Sequence, residues 1–122
     1  MVKFIKSFAE LLNQGETILI YPEQAMWWNY RKPRPLQDGA FSLAVRNKVP
    51  IVPIFITMED SDVMDGDGFP VQAYTMHILP AIYPNETLSS IAAKKDMKNR
   101  NYEAWVKAYE EFYNEPLVYG EV

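Results

Sequence analysis

Glu23 stands at the end of a short apolar run, Thr17-Ile18-Leu19-Ile20-Tyr21-Pro22. Directly after it comes a loop holding Trp27, Trp28, Asn29, Tyr30, Arg31, Lys32, Pro33 and Arg34. A carboxylate in that place can accept hydrogen bonds, or serve as an acid or base. The cations Arg31, Lys32 and Arg34 suit an anion such as phosphate, which guanidinium groups hold through paired N–H donors. The neighbouring aromatics suit a sugar face or a membrane interface. The plainer alternatives are a solvated loop acid, a tryptophan closing over the core, and hydrated cations. Position favours a site at Glu23, because ligands of open α/β sheets bind beyond the carboxyl ends of the strands.

Two other groups invite chemistry and fit it less well. Asp60, Asp62, Asp65 and Asp67 cluster in a turn-rich stretch, but no frame there gives the alternating ligands and twelfth-position glutamate of an EF-hand loop. A solvated loop is the expectation. His77 is the single histidine and lies within an alternating stretch, with no acid nearby in sequence to orient it as a base. A structural role is expected for it. With no cysteine and one histidine, thiolate and multi-histidine metal sites are excluded, and no metal ligand or cofactor is assigned.

The charge balance localises any anion site. Residues 1–58 carry seven basic and four acidic side chains; residues 59–122 carry five basic and twelve acidic, for a net charge of −4. An anionic ligand would be drawn to the Arg31–Arg34 loop and away from the C-terminal half. An acidic chain with a pI near 5.0 is a poor match for nucleic acid.

The elements that must position these residues read as follows. Phe4, Ile5, Phe8, Leu11 and Leu12 share one helical face, and Gly15 stands where that helix should stop. Thr17–Tyr21 reads as a strand buried on both faces, as in a parallel sheet. Ala40–Val45 reads as a short apolar helix with Asp38 as its N-cap. Val49-Pro50-Ile51-Val52-Pro53-Ile54-Phe55-Ile56-Thr57 holds a second buried strand in its latter half, with its prolines at the strand start or an irregularity. The stretch from Met58 to Pro70 reads as a polar insertion, and Val71–Leu79 as a third strand. A short helix over 88–93 precedes a terminal helix marked by Tyr102, Trp105, Tyr109 and Phe112. Residues 1–122 read as one α/β domain with three to four strands in a mainly parallel or mixed sheet and flanking helices. Such a layered domain usually has five or six strands, so the inventory suggests either a compressed domain or one whose front is missing. No stretch is long and apolar enough to span a bilayer, and the expectation is a soluble cytoplasmic chain.

Three segments taken together carry a resemblance. They are Ile18–Trp27 (ILIYPEQAMW), Leu36–Ala44 (LQDGAFSLA) and Val49–Thr57 (VPIVPIFIT). Their order and spacing resemble the glycerolipid acyltransferase superfamily, of the lysophosphatidic acid acyltransferase type. That family has an F-P-E-G-T-R-S block, then F-K-x-G-A before a short helix, then V-P-I-V-P-V. The resemblance implies a partial layered α/β acyltransferase domain. It also implies transfer of a fatty acyl group from acyl-CoA or acyl carrier protein to a hydroxyl of a phosphorylated glycerol, such as a lysophospholipid. A histidine of an H-x-x-x-x-D motif would be the base and its aspartate the orienter.

The chain departs from that pattern twice. No H-x-x-x-x-D precedes Tyr21, and His77 is followed at the fifth position by Ile82. The chain therefore reads as a C-terminal portion with no catalytic residue of its own, inactive in isolation. Secondly, Gln24-Ala25-Met26-Trp27 replaces G-T-R-S, with Met26 where arginine is expected. The substrate-binding candidates are Glu23 at the acceptor pocket, Arg31, Lys32 and Arg34 on an anionic head group, Gly39 where backbone meets ligand at a helix start, and Pro53 (with Pro50) walling the site. Peripheral contact with the inner face of a membrane and self-association through a face left bare are further expectations. The alternative is a non-enzymatic module that binds a lipid head group, a sugar or a protein through Trp27, Trp28 and Tyr30.

Overall fold

The computed structural model describes residues 2–24 and 31–119. The element order is α1 (Val2–Asn13), α2 (Gly39–Asn47), β1 (Ile54–Met64), β2 (Pro70–Ile78) and α3 (Ser90–Tyr113). The first helix ends where glycine permits it. Gly15 has a φ of 82°, in the left-handed region that its missing Cβ makes accessible. Its N–H donates to Leu12 O, and that of Glu16 to Leu11 O, satisfying carbonyls the helix end would leave bare.

β1 and β2 form a two-stranded antiparallel sheet, with Ile54 opposite Ile78 and Asp60 opposite Gln72. A register shift follows between Asp60 and Met64. The turn is tied by one side chain. The Asp65 carboxylate accepts from the N–H groups of Asp67 and Phe69, and Gly68 takes a φ of 84°. Ile51 and Ile82 add one isolated antiparallel bridge beside the sheet.

The partial α/β reading therefore stands, with a narrower sheet than expected. Among the described residues two strands pair, not three or four, and they run antiparallel. Thr17–Tyr21 is not a paired strand. Its side chains alternate between exposed and half-buried, and Leu19 and Tyr21 are largely exposed. A strand buried on both faces needs neighbours at its edges and layers above and below, and this segment has no ladder partner among the described residues. β1 is longer than expected. Met58–Met64 continues the strand because a hairpin lets its polar residues face water. The two C-terminal helices are one. No glycine or proline interrupts residues 90–113, and the Ser89 hydroxyl caps the start by accepting from Ala92 N–H at 3.3 Å.

One core cluster joins the layers. It contains Leu36, Phe41, Ala44, Phe55, Ile82, Met97, Trp105, Ala108 and Tyr109. The rings of Phe55 and Trp105 lie 5.8 Å apart. The expected aromatic stripe of α3 does pack inward: Trp105 and Tyr109 are buried, and Tyr102 and Phe112 are half-buried. No helix among the described residues is long and apolar enough to cross a membrane.

Candidate functional site

The segment around Glu23 is built by hydrogen bonds that close the base of a loop. Glu23 is half-buried, and its Oε2 accepts the backbone N–H of Arg34 at 2.6 Å. One residue before Glu23 and three beyond Arg34, Pro22 O accepts the N–H of Gln37 at 2.8 Å. These two bonds bring residues 22–23 against 34–37. A charged acceptor makes the first the stronger of the two. Glu23 thus acts as the acid that fixes where the basic segment leaves the loop.

Gln24 supplies the bend. Its φ is 56°, and its N–H donates to Tyr21 O at 3.1 Å. The left-handed region costs a residue with a Cβ roughly 1–2 kcal/mol. The resembled family has glycine at this place in its block, so the departure at Gln24 loads a position that favours glycine. The Gln24 side chain then reaches the start of α2. A Cβ added at Gly39 would lie 3.5 Å from its Nε2, an ordinary contact. The close backbone approach expected at Gly39 is therefore filled, in this structure, by the Gln24 amide.

The three cations have internal partners. The Arg31 guanidinium lies 4.2 Å from the centroid of the Tyr113 ring, a cation–π arrangement. The Lys32 ammonium donates to the carbonyl of Val118. Pro33 O accepts the Tyr119 hydroxyl at 2.6 Å. The C-terminal end of α3 and the tail after it thus cradle residues 31–33, while Glu23 holds the backbone of Arg34. Burial and the hydrogen bond with Tyr102 push the Tyr119 phenol well above its ordinary pKa. Burial, aided by the hydrogen bond to Glu115, raises Tyr109 to about 12.

Asp38 lies at the N-cap of α2, yet its side chain makes no capping bond. It turns to α3, meeting Lys98 Nζ at 2.8 Å and Lys94 Nζ at 3.8 Å. The hydrogen bond and charge of Lys98 hold its carboxyl below the ordinary 3.8. The expected cap is thus an ion pair between elements.

Pro53 is fully buried at the entrance to β1, where its carbonyl accepts Leu79 N–H at 2.9 Å. It therefore anchors the hairpin, and no described contact joins it to Glu23. His77 shares a 2.7 Å hydrogen bond with the buried hydroxyl of Thr57, and its ring meets Phe112 edge-on at 5.4 Å. That is a packing role. Trp27, Trp28 and Tyr30 lie outside the described residues. Sequence reasoning missed the contribution of Tyr113, Val118 and Tyr119. The aromatic run Tyr109–Tyr119 was the available signal, although nothing in its spacing says that it returns to residue 31.

These features define a partial α/β unit with a carboxylate-braced basic loop ahead of a helix start. Residues 1–57 match the family model described as Acyltransferase, and this stretch of the chain is similar to that family. The match takes in α1, the braced loop, α2 and the first residues of β1, and it supports acyl transfer as the general activity. No curated protein and no solved structure is detectably similar to the chain.

Proposed function

We propose that the chain is the acceptor-side, C-terminal portion of an O-acyltransferase of the lysophosphatidic acid acyltransferase type. Its reaction moves a fatty acyl group from acyl-CoA or acyl carrier protein to a hydroxyl of a 1-acylglycerol 3-phosphate or a similar acceptor. The observation that carries this reading is the Glu23–Arg34 bond within the family-matched stretch. It fixes the end of the basic segment five residues ahead of Gly39, the first residue of α2, and the N–H groups of a helix start favour an anion.

In the mechanism, Glu23 holds no proton for the reaction. It is a positioning residue, fixing the backbone from which Arg34 extends. Arg31 and Lys32 complete a positive field for the head-group phosphate, and the Gln24 amide covers Gly39 beside it. The general base belongs to an H-x-x-x-x-D motif, which these 122 residues do not contain. The chain on its own therefore binds acceptor and does not turn it over.

Both halves of that statement can be measured. Amide resonances of Glu23, Arg34 and Gly39 should move on titration with lysophosphatidate and stay still with uncharged monoacylglycerol. Incubation with acyl-CoA and lysophosphatidate should yield no diacyl product. Equal shifts with both lipids would overturn the phosphate assignment, and diacyl product would overturn the absence of a base.

A further inference from the structure

The hairpin has two faces, and only one meets the core. Phe55, Thr57 and His77 share the face turned to α3. Strand alternation puts Ile54, Ile56 and Met58 on the other, opposite Ile78, Met76 and Tyr74. Ile56 is 45% exposed, Met76 61%, Tyr74 67% and Ile78 68%; Ile54 and Met58 are half-buried. Three successive cross-strand apolar pairs on a water-facing sheet surface invert the usual pattern of apolar inside and polar outside.

We propose that this face is a homodimer interface, on which a second copy of the chain packs its own hairpin face to face. The area argues for it. The exposed parts of these six side chains amount to roughly 600 Å², the top of the roughly 300–600 Å² range of a monomer's largest apolar patch, which is often functional. That approaches the ~800 Å² each partner buries in a standard interface. The patch is also self-complementary. It carries no charge over its three pairs, and a two-fold axis parallel to the sheet and perpendicular to its strands sets Ile54 of one copy against Met58 of the other and Ile78 against Tyr74.

Charge selects the second copy over a lipid surface. The hairpin's far end carries Glu59, Asp60, Asp62, Asp65 and Asp67. Asp60 sits on the apolar face itself, one pair beyond Met58. An anionic bilayer would repel that end of the patch. A two-fold partner would not, because antiparallel stacking sends the two acidic tips to opposite ends. Ile54 to Asp60 spans about 20 Å as a strand, well beyond the ~8 Å over which salt screens exposed charges.

Sedimentation velocity on the intact 122-residue chain tests this. The expected result is a species of twice the 14.2 kDa chain mass at micromolar concentration. Tyr74→Lys with Met76→Lys should raise the dissociation constant about tenfold or more while far-UV circular dichroism stays unchanged. Ile91→Lys, on the exposed side of α3, should leave the dimer intact. If the double-lysine chain loses its dichroism, Ile78→Thr replaces it, since threonine keeps the strand and removes apolar surface. A wild-type chain that stays monomeric up to about 1 mM (a Kd that corresponds to only about 4 kcal/mol) would overturn the proposal. So would a folded Lys or Thr variant that dimerises as well as wild type. Monomeric wild type that co-sediments with phosphatidylcholine–phosphatidylglycerol vesicles would assign the face to lipid instead.

Discussion

The front and back of this chain are held together by different means. Residues 54–113 form a hairpin and a 24-residue helix that share most of the buried cluster. Residues 6–24 contribute no buried side chain, and their order relies on a glycine stop, a tight turn and the Glu23 bond. The family-matched stretch spans residues 1–57, so it covers the loosely held part together with α2 and ends within β1. Apolar burial fixes an element without specifying what it binds. Single polar bonds fix a loop in one geometry and leave its side chains near solvent, where a ligand can reach them. Function concentrating in the weaker half is what that division predicts.

The largest effect should come from cutting the link between the halves. Phe41 is 1% exposed and belongs to α2, the front element that enters the shared core. Phe41→Ala should cost about 3–5 kcal/mol, as core phenylalanine truncations do. Urea unfolding measured by tryptophan fluorescence would show it. A loss below about 1 kcal/mol would mean that α2 is not part of the core's cooperative unit.

Glu23→Ala is the next largest, because it leaves a part-buried N–H without its charged acceptor. The expected cost is about 1–3 kcal/mol. The comparison sharpens here, since this cost should fall on the front. Hydrogen exchange should quicken at Arg34 and Gln37 and stay unchanged along Phe55–Met58. Uniform acceleration would contradict the division. Gln24→Gly acts in the opposite sense. It relieves the left-handed backbone and should raise stability by about 0.5–1 kcal/mol, net of the extra freedom glycine has when unfolded.

Legibility followed the same division. The helix α1, the stop at Gly15 and the inward stripe of α3 were readable because local periodicity and one backbone-permissive residue determine them. The paired strand expected at Thr17–Tyr21 was not readable as absent: composition reports β-forming side chains, while pairing depends on a neighbour. The 88–93 helix and the terminal helix are one because 94–101 holds no glycine or proline to break them. At the candidate site, the choice of Glu23 rests on its position and block. Its partner Arg34 N–H was not, since backbone donors carry no sequence signature. The cradle of Tyr113, Val118 and Tyr119 about Arg31–Pro33 closes over more than eighty residues, a separation at which spacing holds no information.

The cradle gives a pH-dependent test. Tyr109 is raised from 10.0 to about 12 when folded. A raised pKa means that the folded state holds the proton more tightly. Its stabilisation is therefore complete below pH 10.0 and lost as pH rises toward 12. Tyr109→Phe should flatten the fall in stability across that window, read as the urea midpoint at successive pH values. An unchanged slope would show that the phenol is not desolvated by the fold.

The smallest effect belongs to Asp38, whose ion pairs cross between the halves. Asp38 is about half-exposed, so its bonds to Lys98 and Lys94 should be worth only a few tenths of a kcal/mol near neutrality. Its pKa is lowered in the folded state, so that contribution is present above the ordinary 3.8 and lost as pH falls through the lower folded value. Asp38→Asn removes it at every pH. Wild type and variant should therefore differ slightly at pH 7 and converge in acid below 3.8. If the gap instead persists unchanged in acid, it does not come from the charge of Asp38, and that charge does not tie the front of the chain to α3.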